Sequence, residues 1–308
     1  MTEVNAEKAL WLLLGGVIPE KAGELKELLD KYSHQFSRCE DKPGFVMNAG
    51  PYGLLYFTHR TMWQMWLLGF AAHQALHVYG GLVLYLLATK QKFTAKILND
   101  IPDQREETKK YNRLVDAVYK LGNIPRLDDF VWPAEIPTPE DGTPKNVELA
   151  ATRDLILMAG AYVFLHEIKH ILFAGGEGNR PEQAIQEEIE CDQFARNLMI
   201  GELRKYTEKT GESIEKVRDK RATSMILAAF FMLVITPKEA WNGTQTHPSI
   251  EDRVTVIVED LEIPENGTAW IYLVCVCLAQ LQYVGETPEE ISFNSYKELG
   301  LALLKQIR

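Results

Sequence analysis

Apolar residues recur three and four positions apart along most of this 308-residue chain, the spacing that gives a helix one buried face. That periodicity predicts helices over residues 21–36, 62–89, 104–121, 148–174, 181–207, 213–235, 249–260 and 268–284. It changes character once. Between Gly44 and Thr58 two β-prone runs, Phe45-Val46-Met47 and Leu54-Leu55-Tyr56-Phe57, flank the turn-forming Asn48-Ala49-Gly50-Pro51-Tyr52-Gly53 and predict a hairpin. Five prolines between Pro125 and Pro144 mark a surface connection. The expected fold is therefore mainly α (α+β), with one small β-hairpin or sheet. Its expected parts are a helical region at 1–125 with the hairpin at about 44–58, a Pro-rich connection at 126–147, and a second helical region at 148–308. One continuous domain is the alternative.

Composition narrows the function without naming it. Hydrophobic residues make up 46% and charged residues 25%, as in an ordinary globular protein. A net charge of −10 argues against nucleic acid as the main partner, because a phosphate backbone wants a basic stripe. Four cysteines (Cys39, Cys191, Cys275, Cys277) are too few for a disulfide scaffold, and Cys275 and Cys277 read as small core residues. The apolar stretch Ala9 to Ile18 follows Glu3 and Glu7, where a secretory signal needs positive charge. No apolar run reaches the roughly 18 residues of a transmembrane segment. The expected location is the cytoplasm, with peripheral contact with a membrane as the alternative.

The chemistry concentrates in His166-Glu167-Ile168-Lys169-His170. Histidines at i and i+4 share a helix face, so both imidazoles can reach one metal ion. The glutamate after the first histidine can act as a general base toward water beside that ion. Chance supplies about 0.01 such patterns in a chain with this many histidines. The position six residues after His170 is Gly176, which excludes a third histidine there. A glutamate ligand should then come from another helix. The segment Ala184 to Met199 offers one: Glu188 and Asp192 fall in the middle of its apolar face, Glu190 points away, and Glu187 lies at the edge. Buried acids need partners. A metal for Glu188 and the N–H of a ligand histidine for Asp192 would satisfy both.

His166 to His170 followed by Glu188-Ile-Glu-Cys-Asp192 resembles the glutamate-type zinc peptidases, whose core is a helix–loop–helix. Thr246-His247-Pro248-Ser249 with Arg253 resembles the Thr-His-Pro…Arg motif that some of them carry. With Pro43-Gly44-Phe45 and Trp132-Pro133 upstream, the order is most similar to the phage-exclusion protease Lit family. The resemblance implies a zincin-like fold over the second region and zinc (Zn2+) held by His166, His170 and Glu188. It further implies proteolysis of a protein substrate, elongation factor Tu, triggered by a phage-derived activator.

On this reading Glu167 is the general base, Asp192 orients a ligand histidine, and His247 and Arg253 stabilise the oxyanion. The competing expectation for the last two is a helix cap at Ser249 with Arg253 paired to an acid. The hairpin should offer an exposed strand edge near the metal. Lys169 departs from the family pattern, which usually has an uncharged residue there. It supports the rival reading, a non-catalytic zinc-binding sensor that keeps the scaffold. His73 and His77 also share a face at i, i+4, but no carboxylate partner is evident, and they are expected to be ordinary hydrogen-bonded histidines of a packed helix.

Overall fold

A computed structural model describes residues 6–32, 35–38, 40–49, 54–99, 104–258 and 261–307. The expected hairpin turn at Gly50 to Gly53, together with Cys39, lies outside the described residues. Helices α1 (Ala6–Val17) and α2 (Ala22–Tyr32) precede a sheet of β1 (Gln35–Arg38), β2 (Met47–Ala49) and β3 (Leu54–Phe57). Next come α3 (His59–Thr89), α4 (Ala95–Asn99) and α5 (Gln104–Asn123). Beyond the Pro-rich stretch lie α6 (Val147–Ala174), α7 (Ala184–Ile200), α8 (Leu203–Thr210), α9 (Ile214–Ile235), α10 (Ile250–Val258), α11 (Thr268–Tyr283) and α12 (Tyr296–Leu304). The fold is mainly helical, as the periodicity predicts.

The two longest helices, α3 and α6, begin where a side chain can take up a free N–H group. Thr58 caps α3 by accepting from Thr61 N (3.1 Å), and Asn146 caps α6 by accepting from Leu149 N (3.0 Å). α3 packs against α5, α6, α9 and α11, while α6 packs against α7, α9 and β2. Both are long and apolar enough to cross a bilayer, yet two-thirds of the most apolar window of each is covered by protein (67% buried). Their apolarity is accounted for by these helix–helix contacts. Cys275 and Cys277 lie in this core, as expected.

Two expectations change. The helix predicted over 21–36 stops at Tyr32, and Gln35–Arg38 pairs in parallel with β3. A central strand with a free ladder outweighed the local helical pattern there. The helix predicted over 181–207 breaks after Ile200. The buried Arg221 guanidinium takes the Met199 carbonyl (2.5 Å) and pairs with Glu20, so the last turn of α7 is committed to the interior.

The sheet order is β1-β3-β2, so the expected hairpin is two strands of a three-stranded sheet. β2 runs antiparallel to β3 with Met47 opposite Phe57 and Ala49 opposite Leu55. Val46 O, facing β3, accepts from Thr58 N (3.3 Å). Backbone groups alternate along a strand, so Met47 and Ala49 present theirs to the opposite edge, toward α6. The loop before β2 is pinned by Arg60, which bridges Asp41 (2.6 Å) and the carbonyls of Leu121 and Ile124 at the end of α5.

The Pro-rich stretch lies along α3. Trp66 Nε1 donates to Pro137 O (2.7 Å), and Trp63, Phe130 and Trp132 meet in a half-buried aromatic cluster.

Candidate functional site

α6 carries His166, Glu167 and His170 at its C-terminal end, then turns sharply. Gly176 (φ +80°) and Gly178 (φ +79°) adopt the left-handed conformation that a side chain resists, and α7 returns across α6. This reversal brings Glu188 over the two histidines. His166 Nε2 and His170 Nε2 are 3.3 Å apart; Glu188 Oε2 is 3.4 Å from the first and its Oε1 3.3 Å from the second. Tetrahedral zinc with bonds near 2.0–2.1 Å keeps its donors roughly 3.3 Å apart. The donor set and its spacing therefore fit such an ion.

Behind the donors lies a second row of groups. His166 Nδ1 meets Asp192 Oδ1 at 2.8 Å, and His170 Nδ1 meets Glu187 Oε1 at 2.8 Å. Asp192 is fully buried and also accepts from Tyr162 Oη (3.0 Å), Arg253 Nε (2.8 Å) and Arg253 Nη2 (2.9 Å). Glu187 is braced by Arg180 Nε (2.8 Å). Such partners fix which ring nitrogen carries the proton and leave Nε2 of each imidazole for a metal.

Burial opposes every charge in this group, and the network overcomes it. At His166, desolvation is outweighed by the Asp192 carboxylate and by Glu188, so its pKa is pushed up to about 9. Desolvation at Asp192 is overcome by Arg253 and His166, which hold its carboxyl well below the usual carboxylate range. Hydrogen bonds from His166 and His170 do the same for Glu188 against its own desolvation.

Glu167 points into a cleft of about 640 Å³ lined by β2, α6, α7, His247 and Arg253. Its Oε2 accepts from Ala49 N (2.8 Å), so the outer edge of β2 lies against this carboxylate. His247 stands at the mouth, 60% exposed, with Nδ1 on Thr246 Oγ1 (2.8 Å) and Nε2 4.0 Å from Glu188 Oε1. Gly243 (φ +87°) shapes its loop; a Cβ there would lie 2.9 Å from Ser249 N and 3.0 Å from His247 O.

Arg253 is placed differently from a free oxyanion donor. Two of its nitrogens are spent on Asp192, and Nη1 lies 3.6 Å from Glu188 Oε2. The capped helix is present too, with Asp252 N donating to Ser249 Oγ (3.0 Å), but the acid paired with Arg253 belongs to the site. Lys169 turns away from the donors, with Nζ 4.0 Å from the Phe173 ring centroid and 5.5 Å from that of Phe194. It forms cation–π contacts instead of crowding a metal.

The family model of Peptidase U49 matches residues 55–273, more than two-thirds of the chain. The chain belongs to the peptidase U49 family. No curated protein and no solved structure matches it. Membership makes peptide-bond hydrolysis the chemistry of this U49 chain, and the matched stretch runs from β3 into α11. It therefore contains the α6–α7 cluster, His247 and Arg253.

Sequence reasoning missed several participants in this candidate site. Glu187, placed at the edge of the α7 wheel, swings under His170; two metal-facing histidines needing two backing acids was the available signal. Tyr162, one turn before His166, was legible as a same-face neighbour. The Ala49 backbone N–H had no side-chain signature at all. Cys191, read without a role, has its buried thiol close to both imidazoles, with one donor atom of each of the three within 4.8 Å of the others. Desolvation first, then Glu188 and the other nearby acids, pushes its pKa up and keeps it protonated.

Proposed function

We propose that this chain is a zinc-dependent endopeptidase. His166, His170 and Glu188 hold the ion, and a fourth position is left for water. The observation that carries the reading is the convergence of these three donors beside Glu167, in a cleft bordered by the outer edge of β2. Zinc bound there supplies Lewis acidity, polarising the scissile carbonyl and lowering the pKa of water.

The chain's own groups do the rest. Glu167 takes the proton from water and delivers it to the leaving amine. To do so its Oε2 exchanges the Ala49 N–H for water, and the freed edge of β2 can hold an extended substrate through main-chain hydrogen bonds. His247, exposed at the mouth with Nε2 toward the cleft, donates to the carbonyl oxygen as charge develops. Arg253 acts through Asp192 as a positioning residue that fixes the orientation of His166.

The substrate is a protein. The Lit resemblance makes elongation factor Tu, with a phage-derived activator, the first pair to assay. The sensor reading loses its main support, since Lys169 is directed away from the donors.

The test is to express wild type and Glu167→Gln in parallel and identify new protein N-termini. Glutamine keeps shape and zinc but cannot accept the proton, so cleavage should fall by about 10²–10⁴-fold. Cleavage retained by a zinc-loaded Glu167→Gln variant would refute the assignment.

A further inference from the structure

The other i, i+4 histidine pair has acquired a carboxylate. His73 and His77 lie on α3, and the cap of α6 brings Glu148, in the first turn of that helix, between them. Glu148 Oε1 is 3.2 Å from His73 Nε2 and 2.8 Å from His77 Nε2, and one donor atom from each residue lies within 4.8 Å of the others. The rings are nearly perpendicular (88°) with centroids 4.5 Å apart. Both imidazole Nε2 atoms thus lie within hydrogen-bond distance of one carboxylate oxygen, and the three residues converge closely enough to share one ion.

The donors come from two helices, so the fold and not one helix alone assembles them. Solvent reaches them: the side chain of His77 is 47% exposed and that of Glu148 57%. An ion can enter and keep water on its remaining positions. A mixed imidazole–carboxylate set suits a borderline divalent ion better than magnesium or calcium.

We infer that His73, His77 and Glu148 form a second zinc-type divalent metal site that staples the start of α6 to α3. Eighteen residues of α6 separate Glu148 from His166, about 27 Å at 1.5 Å per residue. The ion held there is remote from the proteolytic centre and fastens the helix that carries it. Among the described residues no carboxylate hydrogen-bonds the Nδ1 of either ring as Asp192 and Glu187 do theirs; Glu107 lies within electrostatic reach of His77 but takes a hydrogen bond from Gln74. A backing carboxylate is worth about 10–100-fold in affinity, and the second site is weaker by at least that factor.

Equilibrium dialysis of the untagged full-length chain against Zn2+, followed by metal analysis, tests this. Wild type should take two equivalents, one tight and one weaker, and filling the weaker site should raise Tm. His73→Ala/His77→Ala and, separately, Glu148→Gln should keep the tight equivalent and lose both the weak one and its Tm increment. His170→Ala should do the reverse, which separates failure of this site from failure of the proposed proteolytic one. His77 and Glu148 are exposed while the side chain of His73 is only 16% exposed, so metal-free Tm verifies that each variant folds. A single equivalent in wild type that the double variant retains, or a weak equivalent that survives in both the double variant and Glu148→Gln, would overturn the inference.

Discussion

Two histidine pairs of identical spacing stand on two long apolar helices, and their surroundings differ in depth. His166 and His170 each have an acid behind the ring, and Asp192 is itself held by Arg253 and Tyr162. His73 and His77 share the single exposed Glu148. Only the first pair encloses a glutamate, Glu167, and it opens on a cleft of about 640 Å³ with a strand edge at its rim. Spacing makes a metal site possible. The backing charges and the adjacent base determine whether it can do chemistry.

The largest effect expected from breaking this difference is on stability at Asp192. Asp192→Ala leaves Arg253 buried without its carboxylate, which should cost about 3–5 kcal/mol in denaturant unfolding. His247→Ala should retain fold and zinc but lower kcat by roughly 10²-fold, since a donor at the oxyanion is typically worth a few kcal/mol. A destabilised but fully active variant would instead make His247 part of the loop's scaffolding. Glu187→Gln removes the acid behind His170 and should weaken zinc binding about 10–100-fold in a competition titration.

The metal-free chain offers a pH test of the same network. The folded pKa of His166, about 9, lies above the ordinary value of 6.5. Its charged form therefore contributes stability that is fully present below about pH 6.5 and is lost as pH rises through 9. Tm of metal-free protein should fall across that window, and the fall should shrink in Asp192→Asn. The smallest effect belongs to the other pair: without metal, His77→Ala, at the more exposed of its two histidines, should change stability by less than about 1 kcal/mol, as expected of an exposed contact to a carboxylate.

Much of the buried site was legible because its demands are local. The i, i+4 histidines, the glutamate between them and two acids in the centre of an apolar wheel can all be read from helix geometry. Glu187 and Glu148 escaped for a common reason. Each is useful only once a second helix has crossed, and crossing depends on Gly176 and Gly178 in one case and on the docking of the α6 N-terminus in the other. Arg253 was found by motif, yet its partner depends on where α10 packs against α7. The Ala49 N–H was invisible because strand edges are backbone features that any residue could supply. The first half of β1, Gln35 and Phe36, was read as the end of a helix since its pairing with β3 is non-local.

On the proposed reading the α6–α7 cluster holds zinc with one position open for catalysis, and Cys191 is the group placed to close it. A thiolate from this residue would join the histidines and close the site, as in structural zinc centres. X-ray absorption at the zinc edge, on full-length protein loaded with one equivalent, reads the ligands directly. The expected result is an all-nitrogen/oxygen shell near 2.0–2.1 Å with two imidazoles. A zinc–sulfur distance near 2.3 Å, lost in Cys191→Ser, would contradict it.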